Sequence, residues 1–289
     1  GGVPPAAGRL AEPSIVLAQT AVSIRHAAFV AVGAETVAVA KDFDALGQAL
    51  EHRQIKATTF AVTVKKLPGA PPVPSPVAKR EIGMRIEGRA DLRNPAEEFL
   101  LVATPQALYL GRVLSRSDNA WRQHERRPHT YIRALPARLA RAMVNLVAKP
   151  GQQVLDPCCG VGTIPIEAEH IGCRVTGFDL SPKMADASNQ NLQHFGFPPC
   201  AAVADARTLA GRWDAVVTDL PYGHIGHYED AKSAAEILSN ILTLAPRAAI
   251  VLAFDATAEL TRLGHPPRQV IPVPASHSLV RHIHVIGPG

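Results

Sequence analysis

Gln152-Gln-Val-Leu-Asp156-Pro-Cys-Cys-Gly-Val-Gly-Thr163-Ile-Pro-Ile-Glu-Ala-Glu-His-Ile171 is the stretch that decides the fold. Gln152–Asp156 has the short apolar run of a buried strand, and Ile164–Ile171 carries apolar residues at helical spacing. Between them, Gly160 and Gly162 let the chain turn tightly and leave no side chain where a ligand must come close. A turn of this kind at the carboxyl end of a strand is where open α/β sheets bind ligands.

Outward from this turn the chain alternates strand and helix. Leu135–Val147 is an amphipathic helix with Pro136 suited to its first turn. After the turn come a strand at Arg174–Asp179, a helix at Lys183–Phe195, a strand at Cys200–Asp205, a strand at Trp213–Asp219 and a helix at Ala231–Leu244. Ala248–Asp255 reads as a strand and Thr257–Leu263 as a helix, and Gln269–Val273 with Leu279–Ile286 reads as an antiparallel end. The alternation implies a Rossmann-like α/β domain with a mostly parallel, seven-stranded sheet. Four of these strands end in acids: Asp156, Asp179, Asp205 and Asp219. One such acid can be a helix cap, as Asp179 before Ser181-Pro182 can be. Four on one edge of one sheet point to a ligand.

The front of the chain reads differently. Phe29–Val39 suggests two short strands around a turn at Gly33-Ala-Glu35. Asp44–His52 has helical periodicity, and Thr59–Lys65 alternates as a strand. Pro68–Pro76 is too rich in proline for a helix or a ladder strand. Val77–Ile86 follows as a basic amphipathic helix that presents Lys79 and Arg80. Asp91–Ala103 and Ala107–Leu114 read as a hairpin. Trp121-Arg-Gln-His-Glu-Arg-Arg-Pro-His129 is the most basic stretch. Its Arg122, Arg126 and Arg127 suit phosphate contacts, with a solvated linker as the plain alternative.

At 289 residues, 47% apolar and 19% charged, the chain is expected to be globular and soluble, with no membrane span. A net charge of +5 is compatible with a polyanion partner. Cys158, Cys159, Cys173 and Cys200 show no paired zinc spacing and read as reduced thiols of a cytoplasmic protein with no metal. Gly1-Gly2-Val-Pro-Pro reads as a trimmed end. A monomer is expected.

Phe60–Val64, Glu81-Ile-Gly83, Leu92-Arg-Asn-Pro95 and Tyr109-Leu-Gly111, in that order and spacing, resemble a THUMP domain, an RNA-binding module of tRNA-modifying enzymes. Residues from about Leu135 to Pro288 resemble a class I S-adenosylmethionine-dependent methyltransferase. The resemblance rests on Asp156–Thr163, on Asp179 at a gap of 23 residues, and on Asp219-Leu-Pro-Tyr-Gly223. Together the two halves resemble the THUMP-containing tRNA guanine-N2 methyltransferases. The expected division is an α+β, ferredoxin-like unit at 1–57, a THUMP-like domain at 58–118, a basic linker at 119–134 and the methyltransferase domain at 135–289.

The resemblance implies that S-adenosyl-L-methionine is the cofactor. Asp156, Gly160 and Gly162, with Cys158 and Thr163 in the same turn, would hold its methionine part. Asp179, followed by Leu180, would take the ribose hydroxyls, and Asp205-Ala206 would lie against the adenine. Asp219, Leu220, Pro221 and Tyr222 would form the catalytic motif beside the methyl group. There a carboxylate and a backbone carbonyl accept the two hydrogens of a planar amine and direct its lone pair, and Tyr222 stacks on the base. The family's usual motif has proline where this chain has Leu220, which keeps the carbonyl and loses the ring. Asp219 in place of asparagine favours position 10 of tRNA over position 6. The target base must be unpaired or flipped out. His224, His227 and Tyr228 are read as a substrate-side loop, and His282 with His284 as one surface face of the last strand. Two other readings fit the sequence. One is a DNA-adenine or protein-amide N-methyltransferase. The other is a non-catalytic RNA-binding protein with a decayed cofactor pocket.

Overall fold

The computed structural model describes residues 9–12, 15–18, 23–220, 231–275 and 279–288. In chain order the elements are β1 (Arg9–Glu12), β2 (Ile15–Leu17), β3 (Val32–Ala40), α1 (Phe43–Glu51), β4 (Ile55–Lys66), α2 (Ser75–Gly83) and β5 (Ile86–Ala90). Next come β6 (Glu97–Ala103), β7 (Leu108–Arg116), α3 (Trp121–His124), α4 (Ala137–Val147), β8 (Gln153–Asp156), α5 (Thr163–Ile171), β9 (Arg174–Asp179) and α6 (Pro182–His194). The last are β10 (Ala201–Val203), β11 (Ala215–Asp219), α7 (Ala231–Ile241), β12 (Ala248–Leu252), α8 (Thr257–Arg262), β13 (Gln269–Pro274) and β14 (Val280–Ile286). They fold as two compact units. Of the described residues, 18, 23–24 and 30–117 form one unit, and 9–12, 15–17, 25–29, 118–220, 231–275 and 279–288 form the other.

The smaller unit is a five-stranded sheet in the order β3-β7-β6-β4-β5. β6 and β7 form the expected antiparallel hairpin, while β4 runs parallel to both β5 and β6. Leu46 and Leu50 of α1 and Ala78 and Ile82 of α2 pack on Phe60, Phe99, Leu101 and Leu110 of the sheet. The Asp42 carboxylate caps α1 by accepting from Ala45 N–H at 2.8 Å.

Three expectations are corrected here. The boundary between 57 and 58 falls inside β4, and β3 pairs with β7, so both sides of it share one core. The turn at Gly33–Glu35 is absent: β3 runs straight through it, with register shifts at Gly33/Ala34 and Thr36/Ala38. Glycine within a strand marked a bulge, not a reversal. The proline-rich stretch also ends earlier than expected, because Pro76 sits in the first turn of α2, where its missing N–H is harmless.

The larger unit is built on a seven-stranded sheet in the order β10-β9-β8-β11-β12-β14-β13. β10, β9, β8, β11 and β12 run parallel, and β14 is antiparallel to its neighbours β12 and β13. Both faces are covered, so adjacent residues of one strand enter different cores. Val154 and Val217 face α4 and α5, whereas Leu155 and Val216 face α7 and α8. The strand order reverses between β8 and β11. This switch point brings the ends of β8 and β11 together at the carboxyl edge.

The segment expected to be a basic linker is partly core. α3 packs on α4 and α5. His124 and Arg127 are 4% and 6% exposed. Glu167, fully buried on α5, accepts from Arg141 Nε at 2.6 Å through Oε2, and its Oε1 lies 2.7 Å from His124 Nδ1. Arg141 NH1 donates to Asp118 Oδ1 at 2.6 Å, and Asp118 Oδ2 lies within 3.1 Å of His26 Nδ1 and 2.9 Å of His170 Nε2. Against burial, which raises it, hydrogen bonds from Ala120 N–H, His170 and Arg141 and the Arg141 charge hold the Asp118 carboxyl well below the usual range. The network fixes the far half of α5, the helix that starts at the glycine turn.

His282 and His284 also depart from expectation. β14 is an interior strand. His284 is buried, and its Nε2 accepts from Ala256 N–H at 3.0 Å. Burial lowers its pKa.

Candidate active site at the carboxyl edge of the larger sheet

β8 ends at Asp156, whose carboxylate is 1% exposed and accepts from Cys158 N–H at 3.2 Å. This short bond starts the turn. Burial, with Asp179 and Asp219 as like charges nearby, pushes the Asp156 carboxyl up to about 8.

The two glycines of the turn have different work. Gly160 has φ +51°, and a Cβ there would meet nothing within 4 Å, so its backbone faces open space. Gly162 has φ +83°, and a Cβ there would come 2.4 Å from Ser188 Oγ on α6. Gly162 is required by packing, and Gly160 leaves room for a ligand. Thr163, the first residue of α5, is buried.

Asp179, at the end of β9, ties the turn to the next strand. Its Oδ2 accepts from Gly160 N–H at 2.9 Å and its Oδ1 from Ser181 N–H at 2.8 Å. Each oxygen keeps a second lone pair. Leu180 beside it is 36% exposed. Asp205 lies beyond β10 and engages the Arg207 guanidinium through both oxygens, at 2.6 to 3.0 Å. Ala206 is buried, and its carbonyl accepts from Asn240 Nδ2 of α7 at 2.9 Å.

Asp219 ends β11 on the other side of the switch point. Burial pushes its carboxyl up to about 6, against a lowering pull from Arg281. Arg281 NH1 lies 3.8 Å from Asp219 Oδ2, and no sequence signal marked this arginine. Leu220 is 4% exposed, packs with the α7 side of the core, and donates its N–H to Val251 O at 3.2 Å. A proline there has no N–H to give, so Leu220 adds a rung to the β11–β12 ladder. Pro221, Tyr222, His224, His227 and Tyr228 lie outside the described residues.

All four acids lie at the carboxyl edge of the sheet. Asp156, Asp179, Asp205 and Asp219 each act on Cys158, and burial together with these charges raises its thiol well above the ordinary range. Cys158 is therefore a neutral lining residue and no nucleophile. The edge gathers negative charge around an open backbone turn, which suits a ligand with cationic groups and vicinal hydroxyls.

Of the residues read as RNA contacts, Lys79 and Arg80 are exposed on α2 of the smaller unit. Arg122 and Arg126 are exposed in the larger unit, and Arg122 lies over the Trp121 ring at 4.8 Å. Arg127 is withdrawn from that set: it is buried, donates to His124 O at 3.2 Å and pairs with Glu125 at 3.7 Å.

Residues 124–263 match the model of the UPF0020 family, described as an RMKL-like methyltransferase domain. A tRNA (guanine(10)-N2)-dimethyltransferase of Methanothermobacter thermautotrophicus is 35% identical over 197 residues, 64% of this chain and 58% of that protein. A U6 snRNA (guanine-N(2))-methyltransferase of Mus musculus is 29% identical over 189 residues, 61% of this chain and 34% of that protein. The matches thus span less than two thirds of these relatives' own length. A possible methylase from Clostridium difficile 630 shares the fold at a TM-score of 0.50 and 14% identity, over 91% of this chain and 85% of that one. Residues 124–263 thus match a methyltransferase-domain family model, and the larger unit has a class I methyltransferase-like α/β fold.

Proposed function

We propose that this chain is an S-adenosylmethionine-dependent methyltransferase acting on the exocyclic N2 amine of a guanosine in tRNA, at position 10 rather than position 6. The observation that carries the reading is the acidic carboxyl edge, where Asp156, Asp179 and Asp219 end β8, β9 and β11 and Asp205 follows β10, beside the open backbone of Gly160. S-adenosylmethionine, when bound, supplies a methyl group already activated on a sulfonium centre. The glycine turn would cradle its methionine part, with the Asp156 carboxyl shaping the turn from beneath. The spare lone pairs of Asp179 suit two ribose hydroxyls, and Asp205-Ala206 would bound the adenine. Arg207 would have to share Asp205 with the adenine amine.

Asp219 is the reactive group of this chain. Its ionised carboxylate accepts one hydrogen of the exocyclic amine, which turns the nitrogen lone pair outward. The same carboxylate takes up the proton that the amine must lose. With its carboxyl near 6, Asp219 is mostly ionised at neutral pH yet basic enough to receive that proton. The names of the relatives, tRNA and U6 snRNA guanine-N2 methyltransferases, support an RNA guanine as acceptor. Lys79, Arg80, Arg122 and Arg126 would then meet phosphate, and the smaller unit would serve as the THUMP-like RNA-docking part. We infer a cytoplasmic monomer that needs no metal, because the methyl donor is already activated. Among the described residues, no helix is long and apolar enough to cross a membrane.

Isothermal calorimetry tests the cofactor reading. S-adenosylmethionine should bind at micromolar concentration, and Asp179→Ala should weaken it by about 10–100-fold, the loss of charge-assisted hydrogen bonds at about 1.5–3 kcal/mol. No binding at high micromolar cofactor would favour an RNA-binding protein with a decayed pocket.

A further inference from the structure

Arg281 stands at the carboxyl edge because β14 runs antiparallel to β12. In register, Asp219 of β11 lies opposite Val251 of β12, and Leu252 lies opposite His282 of β14. Arg281, one residue earlier on β14, therefore sits just past the end of β12, two residues beyond the level of Asp219. Its side chain is 16% exposed, and its NH2 donates to Arg133 O at 3.1 Å, which anchors the guanidinium from behind. Its NH1 is 3.8 Å from Asp219 Oδ2. That is ion-pair distance and longer than a hydrogen bond, so the pairing leaves the Asp219 oxygens open to accept from a substrate.

We propose that Arg281 is a positioning residue for methyl transfer: its anchored guanidinium holds the Asp219 carboxylate in place, ionised and ready to accept from the exocyclic amine. The proposal rests on the function given above and adds the residue that makes Asp219 usable. Among the described residues, Arg281 is the one cation within ion-pair distance of Asp219. The other titratable groups acting across the turn are Asp156, Asp179 and the Cys158 thiol, none of which favours a second negative charge. β12 presents apolar Val251 at that level. With Arg281 removed, nothing described here would offset the burial of Asp219.

The test is the pH dependence of kcat at saturating tRNA and methyl donor for wild type, Arg281→Met and Arg281→Lys. In Arg281→Met the acid limb should move up by about one pH unit, the effect of removing an opposite charge at this distance. kcat should then fall by about threefold at pH 6.5 and approach a tenfold loss near pH 5, with KM for the donor unchanged. Arg281→Lys should restore most of the limb. A uniform loss of kcat with an unmoved limb, or a change in KM for tRNA alone, would overturn the proposal and leave Arg281 as a structural or phosphate contact. If wild type transfers no methyl to tRNA, the functional reading fails by itself. A carboxyl-carbon NMR titration of Asp219, assigned by its loss in Asp219→Asn, then decides the arginine's part. A higher midpoint in Arg281→Met supports the proposal, and an unchanged one overturns it.

Discussion

Asp219→Ala is expected to lower methyl transfer by about 10²–10⁴-fold, the range for removal of a positioned proton acceptor, while the protein stays folded and still binds tRNA. The folded state gives up little with this side chain. Its carboxylate is held near 6 by burial, so the charge is carried at a cost and truncation should not lower stability. Asp219→Asn keeps a carbonyl oxygen that can accept one hydrogen, and it should retain more activity than the alanine variant. The wild-type rate should rise with pH through about 6 and level off above it, as the carboxylate ionises. Rates of labelled methyl transfer, compared with melting curves of the same variants, separate the chemical loss from unfolding. Undiminished transfer by Asp219→Ala would remove Asp219 from the mechanism.

The second large effect is expected far from the chemistry, in the network behind α5. Glu167→Ala should destabilise the larger unit by about 3–5 kcal/mol, because it strands the buried Arg141 without its second acceptor. Against the 5–15 kcal/mol of a whole domain, that is a large share. Replacing both partners, Arg141→Met with Glu167→Met, should recover much of the loss, since a buried pair is costly mainly when one half is missing. Both tryptophans of the chain, Trp121 and Trp213, lie in this unit, so fluorescence in a urea titration reports it alone. A loss below about 1 kcal/mol in the single variant would mean that the pair is not holding α5.

Much of the larger unit was legible because its signals are local. β8, α5, β9 and α6 begin and end within a residue or two of the expected bounds, since strand ends carry acids and the turn carries glycines. The four acids could be placed on one edge because a parallel sheet puts every strand end on the same side. Long-range pairings could not be read this way. Arg281 meets Asp219, and Arg141 meets Asp118 and Glu167, only once β14 and α4 have packed. The same limit explains Arg127: a run of basic residues reads as solvated until the acids that bury part of it are in place. In the smaller unit the misreading of Gly33 had another cause. Glycine in a strand and glycine in a turn look alike without the partner strand β7, whose pairing shows the bulge.

The departure at Leu220 also has a physical reading. The sequence comparison within the motif showed only a lost proline ring, whereas the structure shows a gained hydrogen bond to Val251 O and a buried side chain. The end of β11 is thereby held from one side, by the ladder to β12 and by Arg281 reaching across from β14. Stiffness at this strand end is what a site that works by positioning requires.

If the acidic edge presents a methyl donor to a guanine amine, nucleoside mass spectrometry will find the product. Unmodified tRNA is incubated with the protein and isotopically labelled S-adenosylmethionine, then digested and mapped. The expected result is label on N2-methylguanosine at position 10, absent with Asp219→Ala. Label on an adenine or on protein amide nitrogen, or none at all from a protein that binds the donor, would contradict it.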